Sequence, residues 1–255
     1  MKIEELPTPV IFAHRGASAY APENTLTAFK LAIEQGAHAL ELDTKLSADG
    51  QAVVIHDQTV DRTTNSIGHV ADLTLTELRQ LDAGSHFDVR YQGEKIPTLA
   101  EVFESFGKRI LINVELTNYA TPADKLPIVV ADMAQRFNLV DQILFSSFNP
   151  LALFRIKKHL PDATIGLLAL PGFVGLLMPS FSLRLFSYYS LHPEWSSITP
   201  KLVLNAHKHN KKIFPYTVNR VEDIAQMIKH GVDGLFTDNP IQALRVNQTI
   251  AEKVE

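Results

Sequence analysis

Residues 39–57, "ALELDTKLSADGQAVVIHD", decide how the chain folds. Over 39–46 the side chains alternate: Glu41, Asp43 and Lys45 fall on one side and Leu40, Leu42 and Thr44 on the other, as on a β-strand. The six residues "SADGQA" that follow are too few for a parallel crossover with its helix, whereas Asp49-Gly50 is a hairpin-turn dipeptide. Residues 53–56 must therefore fold back antiparallel on 39–46. A turn centred there pairs Glu41 with about His56, one step of register either way, and brings the histidine beside the acid without making it part of the main sheet.

Outward from that hairpin, short apolar runs alternate with segments of helical spacing, the pattern of a parallel sheet buried on both faces. Strands are expected at 10–16, 39–46, 53–56, 110–116, 143–148, 164–170, 187–191, 212–218 and 234–237, and helices at 23–35, 99–106, 126–137, 151–159, 200–208 and 221–230. Such alternation defines a β/α barrel or a doubly wound sheet. No Gly-x-Gly-x-x-Gly follows a strand, so dinucleotide binding lacks its usual support. Nine strands are one too many for an eight-stranded barrel, and 53–56 is the surplus. The expectation is an α/β protein, a (β/α)8 TIM barrel formed by one domain over 1–255, with a turn-rich insertion at about 57–109 sitting over one end.

Composition narrows the partners. A hydrophobic content of 45% supports a large core, and a net charge of -4 without a Lys/Arg stripe argues against nucleic acid. There is no cysteine, so a metal must sit on oxygen or imidazole ligands. The first residues, "MKIEELP", lack a basic segment followed by an apolar one, so the cytoplasm is the expected location. Residues 163–183 carry no charge, a length near that of a membrane span, but Pro171 and Pro179 interrupt them. The plain reading is a buried strand and then an apolar loop or short helix. The sharper one is that residues 171–185, through Phe173, Leu176, Leu177, Met178, Phe181 and Leu185, touch a membrane or an acyl chain. Oligomeric state is left open.

Two carboxylates on one strand face, Glu41 and Asp43, cannot both stay ionised in a protein interior without a cation. The run "ILINVEL" adds Glu115 at the end of the next barrel strand. Three acids at strand C-termini, where barrel active sites form, describe an oxygen site for Mg²⁺ or Ca²⁺; the plainer alternative is pairing with loop cations. His14 ends the first strand and His56 the hairpin, so both can face this cluster as general acid and base. Arg15 is a fixed charge able to grip phosphate oxygens with two donors. Glu23 and Asn24 serve either as caps of the first helix or to shape the site, and His192, at a strand end, is a weaker candidate lining residue.

In order along the chain, "HRG", "PENT", "ELDTKLSADG", "VVIHD", "DRTT", "IPTLAEVF", "NVEL", "FSSF", "YTVN" and "GVDGLFTDNP" resemble the glycerophosphodiester phosphodiesterases from about His14 to Pro240. The resemblance implies a β/α barrel with a small insertion after the "HD" motif. It also implies metal-dependent hydrolysis of glycerophosphodiesters to glycerol 3-phosphate and an alcohol, and a water-soluble diester is the substrate favoured here. Carried over by position, Glu41, Asp43 and Glu115 hold the metal, His14 and His56 are the acid/base pair, and Arg15 holds phosphate. Two positions depart from the family pattern. Thr117 stands where a lysine is usual, and Tyr216 where tryptophan is common. Tyr216 keeps an aromatic wall, and Lys45, on the face of Glu41 and Asp43, is the candidate to replace the missing cation. The rival readings are head-group cleavage of a lysophospholipid, through residues 171–185, and a barrel that binds a phosphorylated ligand without turnover, for which Thr117 alone speaks.

Overall fold

A computed structural model describes residues 2–170 and 187–253. The strands are β1 (Val10–Ala13), β2 (Ala39–Leu46), β3 (Ala52–Val54), β4 (Leu111–Leu116), β5 (Ile143–Ser147), β6 (Thr164–Ala169), β7 (Ser190–Pro193), β8 (Lys212–Ile213) and β9 (Gly234–Thr237). Eight run parallel in the order β8-β7-β6-β5-β4-β2-β1-β9, and β3 pairs with β2. Regular pairing of β8 with β7 covers Lys212 and Ile213, and Phe214 N and Tyr216 N carry the bonding on to Leu191 O and Pro193 O (3.0 Å each). The same stretch of chain reaches β9: Asp233 N donates to Ile213 O (3.1 Å), Phe236 N to Pro215 O (3.0 Å) and Val218 N to Phe236 O (2.8 Å). These bonds bring the two ends of the sheet together into a (β/α)8 barrel.

Alternation along each strand divides the core in two. Ile11, Leu40, Leu42, Ile112, Val114, Phe145 and Leu167 face outward and pack under the helices. Val10, Phe12, Ala39, Leu111, Leu144, Phe214 and Phe236 point inward and plug the barrel below the site. Phe12 stacks on Phe236 at 4.6 Å and tilts against Phe214 at 5.1 Å. Each such fully buried side chain stabilises the fold by about 1.5–3 kcal/mol relative to exposure.

The helices are α1 (Leu26–Glu34), α2 (Leu75–Leu78), α3 (Leu99–Phe106), α4 (Leu126–Arg136), α5 (Pro150–His159), α6 (Pro200–Lys208), α7 (Val221–Lys229) and α8 (Pro240–Ala251). Their starts are written locally. Thr25, Thr98, Asn149, Thr199 and Asn239 each accept a backbone N–H as N-cap, and proline follows the last three at the first helical position. The closing helix α8 is absent from the expected set, although Asn239-Pro240 carries this same start signal.

The hairpin forms as expected, with Thr44 opposite Val54, Lys45 opposite Val53 and Leu46 opposite Ala52. Ile55 N then donates to Asp43 O (3.0 Å), so Glu41 lies one step from the expected partnering with His56. After the hairpin, Val53, Ile55, Val60, Val70, Leu78, Ala83 and Ile96 form a small core of their own, whereas Leu99, Val102, Phe103 and Phe106 of α3 join the barrel's outer core. The apolar stretch 171–185 lies outside the described residues. Among the described residues no helix is long and apolar enough to cross a membrane.

Candidate active site

Beyond the C-terminal ends of β1, β2 and β4 lies a cavity of about 290 Å³ lined by His14, Arg15, Glu41, His56, Glu115, Tyr119, Phe148, His192 and Tyr216, among others. Strand geometry delivers the acids. Glu41 and Asp43 share the inner face of β2, and parallel pairing of β2 with β4 sets Glu115 directly beside Asp43. One carboxylate oxygen from each of the three lies within 4.8 Å of the others.

The turn after β1 brings the cation. His14 N donates to Thr237 O, extending the β1–β9 ladder by one residue, after which Arg15 turns into the left-handed region (φ 56°). Gly16 (φ 84°) completes the turn against α1, where a Cβ would lie 2.6 Å from the Ala28 carbonyl carbon. The Arg15 backbone N–H donates to Glu41 Oε2 (2.8 Å), its Nη1 to Glu23 Oε1 (2.9 Å), and its Nε lies 3.1 Å from Asp43 Oδ2. Glu23 and Asn24 prove not to cap α1, since Thr25 does that. Asn24 Nδ2 donates to Asp43 Oδ2 (2.9 Å), and Glu23 receives both Arg15 and Arg62.

Each candidate acid/base histidine has a carboxylate behind it. His14 Nδ1 is 2.6 Å from Asp238 Oδ1, and Ser18 and Asn219 hold that aspartate in turn. His56 Nδ1 is 2.6 Å from Asp57 Oδ1, whose other oxygen accepts from Arg62 Nε (2.6 Å). Burial pushes Asp57 and Asp238 up, but hydrogen bonds from Arg62 and His56 in one case, and from His14, Asn219 and Ser18 in the other, outweigh it and hold both at about 2. Asp57, Arg62 and Asp238 were not singled out from the sequence. The dipeptide His56-Asp57 is a local signal; the pairing of His14 with Asp238 spans 224 positions and has none.

The acids themselves are in conflict. Burial first, then the charges of Asp43 and Glu115, push Glu41 well above the usual carboxylate range. Burial and Asp43 raise Glu115 to about 8, against opposing contributions from Tyr119, Arg15 and Lys45. Glu41 Oε1 is buried with no hydrogen-bond partner among the described residues. Three oxygen donors converging, one of them unpartnered, and too few positive charges to let all ionise, fit a hard divalent cation: the triad could hold a metal ion. Tyr119, whose hydroxyl donates to Glu115 Oε1, has no signal in the sequence.

Lys45 and Tyr216 stand at the margins. Lys45 Nζ donates to Thr117 O (2.9 Å) and Thr117 Oγ1 (3.0 Å), and the side chain lines a second cavity of about 450 Å³ beside the first, with Thr117, Asn118 and Asp124. Burial lowers its pKa, against the pull of Asp43 and Glu115. Tyr216 lines the cavity that holds the histidines and packs edge-on to Phe148 at 5.7 Å, which packs likewise on Tyr119 at 5.6 Å. His192 also belongs to this cavity, fully buried at its base.

A closed β/α barrel that gathers acids, a guanidinium and buttressed imidazoles at the C-terminal ends of its strands belongs to the enzymes, and this balance of charges suits a hydrolase of phosphate esters. The chain matches the sequence profile of the glycerophosphoryl diester phosphodiesterase family over residues 14–242, and it belongs to that family. A glycerophosphodiester phosphodiesterase of Caldanaerobacter subterraneus subsp. tengcongensis is 45% identical over 232 residues, 91% of this chain and 94% of that one. Another, of Bacillus altitudinis, is 35% identical over 242 residues, covering 93% and 98%. Among solved structures, an Oleispira antarctica phosphodiesterase in complex with the product sn-glycerol-3-phosphate superposes with a TM-score of 0.85 at 30% identity, covering 96% of this chain and 98% of that one.

Proposed function

We propose that the protein hydrolyses small glycerophosphodiesters to glycerol 3-phosphate and a free alcohol, with His14 and His56 as the acid/base pair and Glu41, Asp43 and Glu115 as ligands of Mg²⁺ or Ca²⁺. The observation that carries this reading is that both carboxylate-backed imidazoles open onto the one cavity that also holds Glu41 and Glu115. The names of the relatives, and the product bound in the Oleispira enzyme, support the same substrate class. A bound divalent cation would supply positive charge to the phosphoryl oxygens.

Arg15, held by Glu23 and Asp43, adds a guanidinium that needs no reorganisation when phosphate arrives. With Nδ1 of each imidazole tied to a carboxylate, Nε2 is left for proton transfer. One histidine takes the proton of the attacking hydroxyl, either the substrate's own glycerol 2-hydroxyl or a water, as its oxygen bonds to phosphorus. The other gives a proton to the departing alcohol oxygen as the second P–O bond breaks. A cyclic phosphate formed by the first route is opened by water with the two roles exchanged. In this reading Lys45, which lines the second cavity and not the one that holds the histidines, contributes charge to Asp43 and Glu115 from outside the latter, and Tyr216 contributes an aromatic wall for the substrate's alkyl part. Of the expected insertion at 57–109, the part before α3 is read as the inserted subdomain of a single barrel domain, α3 itself packing with the barrel, and it supplies Asp57 and Arg62 behind His56.

Steady-state kinetics on glycerophosphoethanolamine test the assignment. His14→Ala and His56→Ala should each lower kcat by about 10²–10⁴-fold, the usual contribution of a positioned acid or base, with an unchanged thermal melt. Retained turnover in either variant would remove that histidine from the mechanism.

A further inference from the structure

The second cavity, about 450 Å³ and larger than the one that holds the histidines, lies between the insertion and the connection from β4 to α4. The two share a thin wall. Along the chain Glu115 and Tyr119 line the first, whereas Thr117, Asn118 and Ala120 line the second. His56 likewise faces the first and Gln58 the second. Tyr119, 40% exposed, stands at the mouth with its hydroxyl on Glu115, so a chain that leaves the first cavity past this ring enters the second.

The polar lining of the second cavity is satisfied from within. Lys45 Nζ donates to Thr117 O (2.9 Å) and Oγ1 (3.0 Å). Asn118 Nδ2 and Leu126 N donate to Asp124 Oδ1 (3.0 and 2.9 Å), and Thr121 Oγ1 donates to Oδ2 (2.7 Å). Ser47 Oγ donates to Asp49 Oδ1 (2.6 Å). None of the buried polar atoms that lack a partner among the described residues belongs to this cavity. The surface it leaves without a partner is apolar: Leu46, Val70, Ala71, Ala120 and Leu126. A pocket of this size whose polar groups bond one another favours an occupant that brings hydrocarbon, because each methylene buried there is stabilising and no lining group loses a hydrogen bond.

We propose that this cavity receives the alcohol half of the diester and selects alcohols that carry an apolar body of several carbons. The inference rests on the phosphodiesterase reading above and extends it from small polar head groups to alkyl ones. Thr117 is what suits the cavity to such a guest. A lysine at 117 would set a second ammonium against that of Lys45, whereas threonine accepts from Lys45 and ties its charge to the wall.

The experiment follows glycerol 3-phosphate released from a series of glycerophosphodiesters whose alcohol is ethanol, butanol, hexanol or octanol. In the wild-type protein each added methylene should raise kcat/KM about fourfold until the cavity is full, the usual gain for a buried methylene. The rise should come mainly from KM, because a tail remote from phosphorus binds ground and transition states alike. Ala71→Trp and Ala120→Trp, both at exposed lining positions, should each flatten it. The wild-type series is decisive even where a variant fails to fold. A flat wild-type series would overturn the proposal and leave the phosphodiesterase reading intact. A rise that persists unchanged in both folded variants would place the alkyl tail elsewhere and also overturn it. No product from any member of the series, nor from glycerophosphoethanolamine, would overturn both.

Discussion

Arg15 is held in a backbone region that side-chain-bearing residues seldom adopt, and its own N–H on Glu41, its guanidinium on Glu23 and Asp43, and Asn24 N on its carbonyl fix it there. The same carboxylates give the protein an acid limit. Burial pushes Glu23 up, but Arg62 and Arg15 together hold it at about 2 against an ordinary 4.5. A depressed carboxylate pKa contributes stability that is complete above about pH 4.5 and disappears as pH falls toward 2. Thermal melts between pH 5 and pH 2 should show a shallower acid loss for Glu23→Gln than for wild type; parallel curves would mean that the Arg15–Glu23–Arg62 bridge does not support the fold. At this scale the sequence was most legible where chemistry and strand period coincide. Glu41, Asp43, Glu115, His14, His56, Arg15 and Tyr216 all border the cavity or its acid cluster. Lys45 shares the face of Asp43 as its strand period requires, but where its ammonium goes depended on Thr117, 72 positions away. Asp238 was hidden for the same reason, 224 positions from His14, whereas Tyr119 lies only four positions from Glu115 but in a loop whose course no strand or helix period marks.

The elements repeat this division between local and distant causes. The hairpin could be read because an Asp-Gly turn and a six-residue gap permit only one connection, and the observed register falls within the single step allowed. The strand at β7 was harder. Expected at 187–191, it runs Ser190–Pro193, which puts His192 inside the barrel wall instead of just past its end, and on the cavity that the sequence offered it as a weaker candidate to line. Its short polar sequence has no period of its own, and pairing with β6 decides where it starts. Backbone room is likewise invisible in a sequence until the packing is known. Gly16 combines a positive φ with a close approach to the α1 backbone, so Gly16→Ala should destabilise the protein by at least about 1–3 kcal/mol and weaken substrate binding by displacing Arg15. A denaturant midpoint equal to wild type would show that the β1–α1 turn can shift to admit the methyl group.

For the molecule as a whole, one layer of aromatic rings separates a barrel bottom that is purely structural from a top in which three acids oppose one another. The fold was legible because a β/α alternation with one surplus hairpin leaves few topologies, and the closing helix α8 was missed only because no strand follows it to mark its end. The acid cluster predicts a protein whose stability depends on its ion. A divalent cation at about 100 times its dissociation constant stabilises by about 2.7 kcal/mol, so Mg²⁺ or Ca²⁺ should raise Tm by roughly 5–10 °C over chelated protein. Glu115→Gln should lose most of that shift. A chelator-independent Tm would argue that Arg15 and Lys45 are the only counter-charges the acids have.

The most direct test follows release of free ethanolamine from glycerophosphoethanolamine by the purified protein, with divalent cation and again with chelator, and repeats both with lysophosphatidylethanolamine, whose head-group cleavage frees the same amine and leaves lysophosphatidic acid. The account predicts release from the small diester that stops on chelation and returns with added cation. Release from the lysophospholipid alone, or none from either substrate, would contradict it.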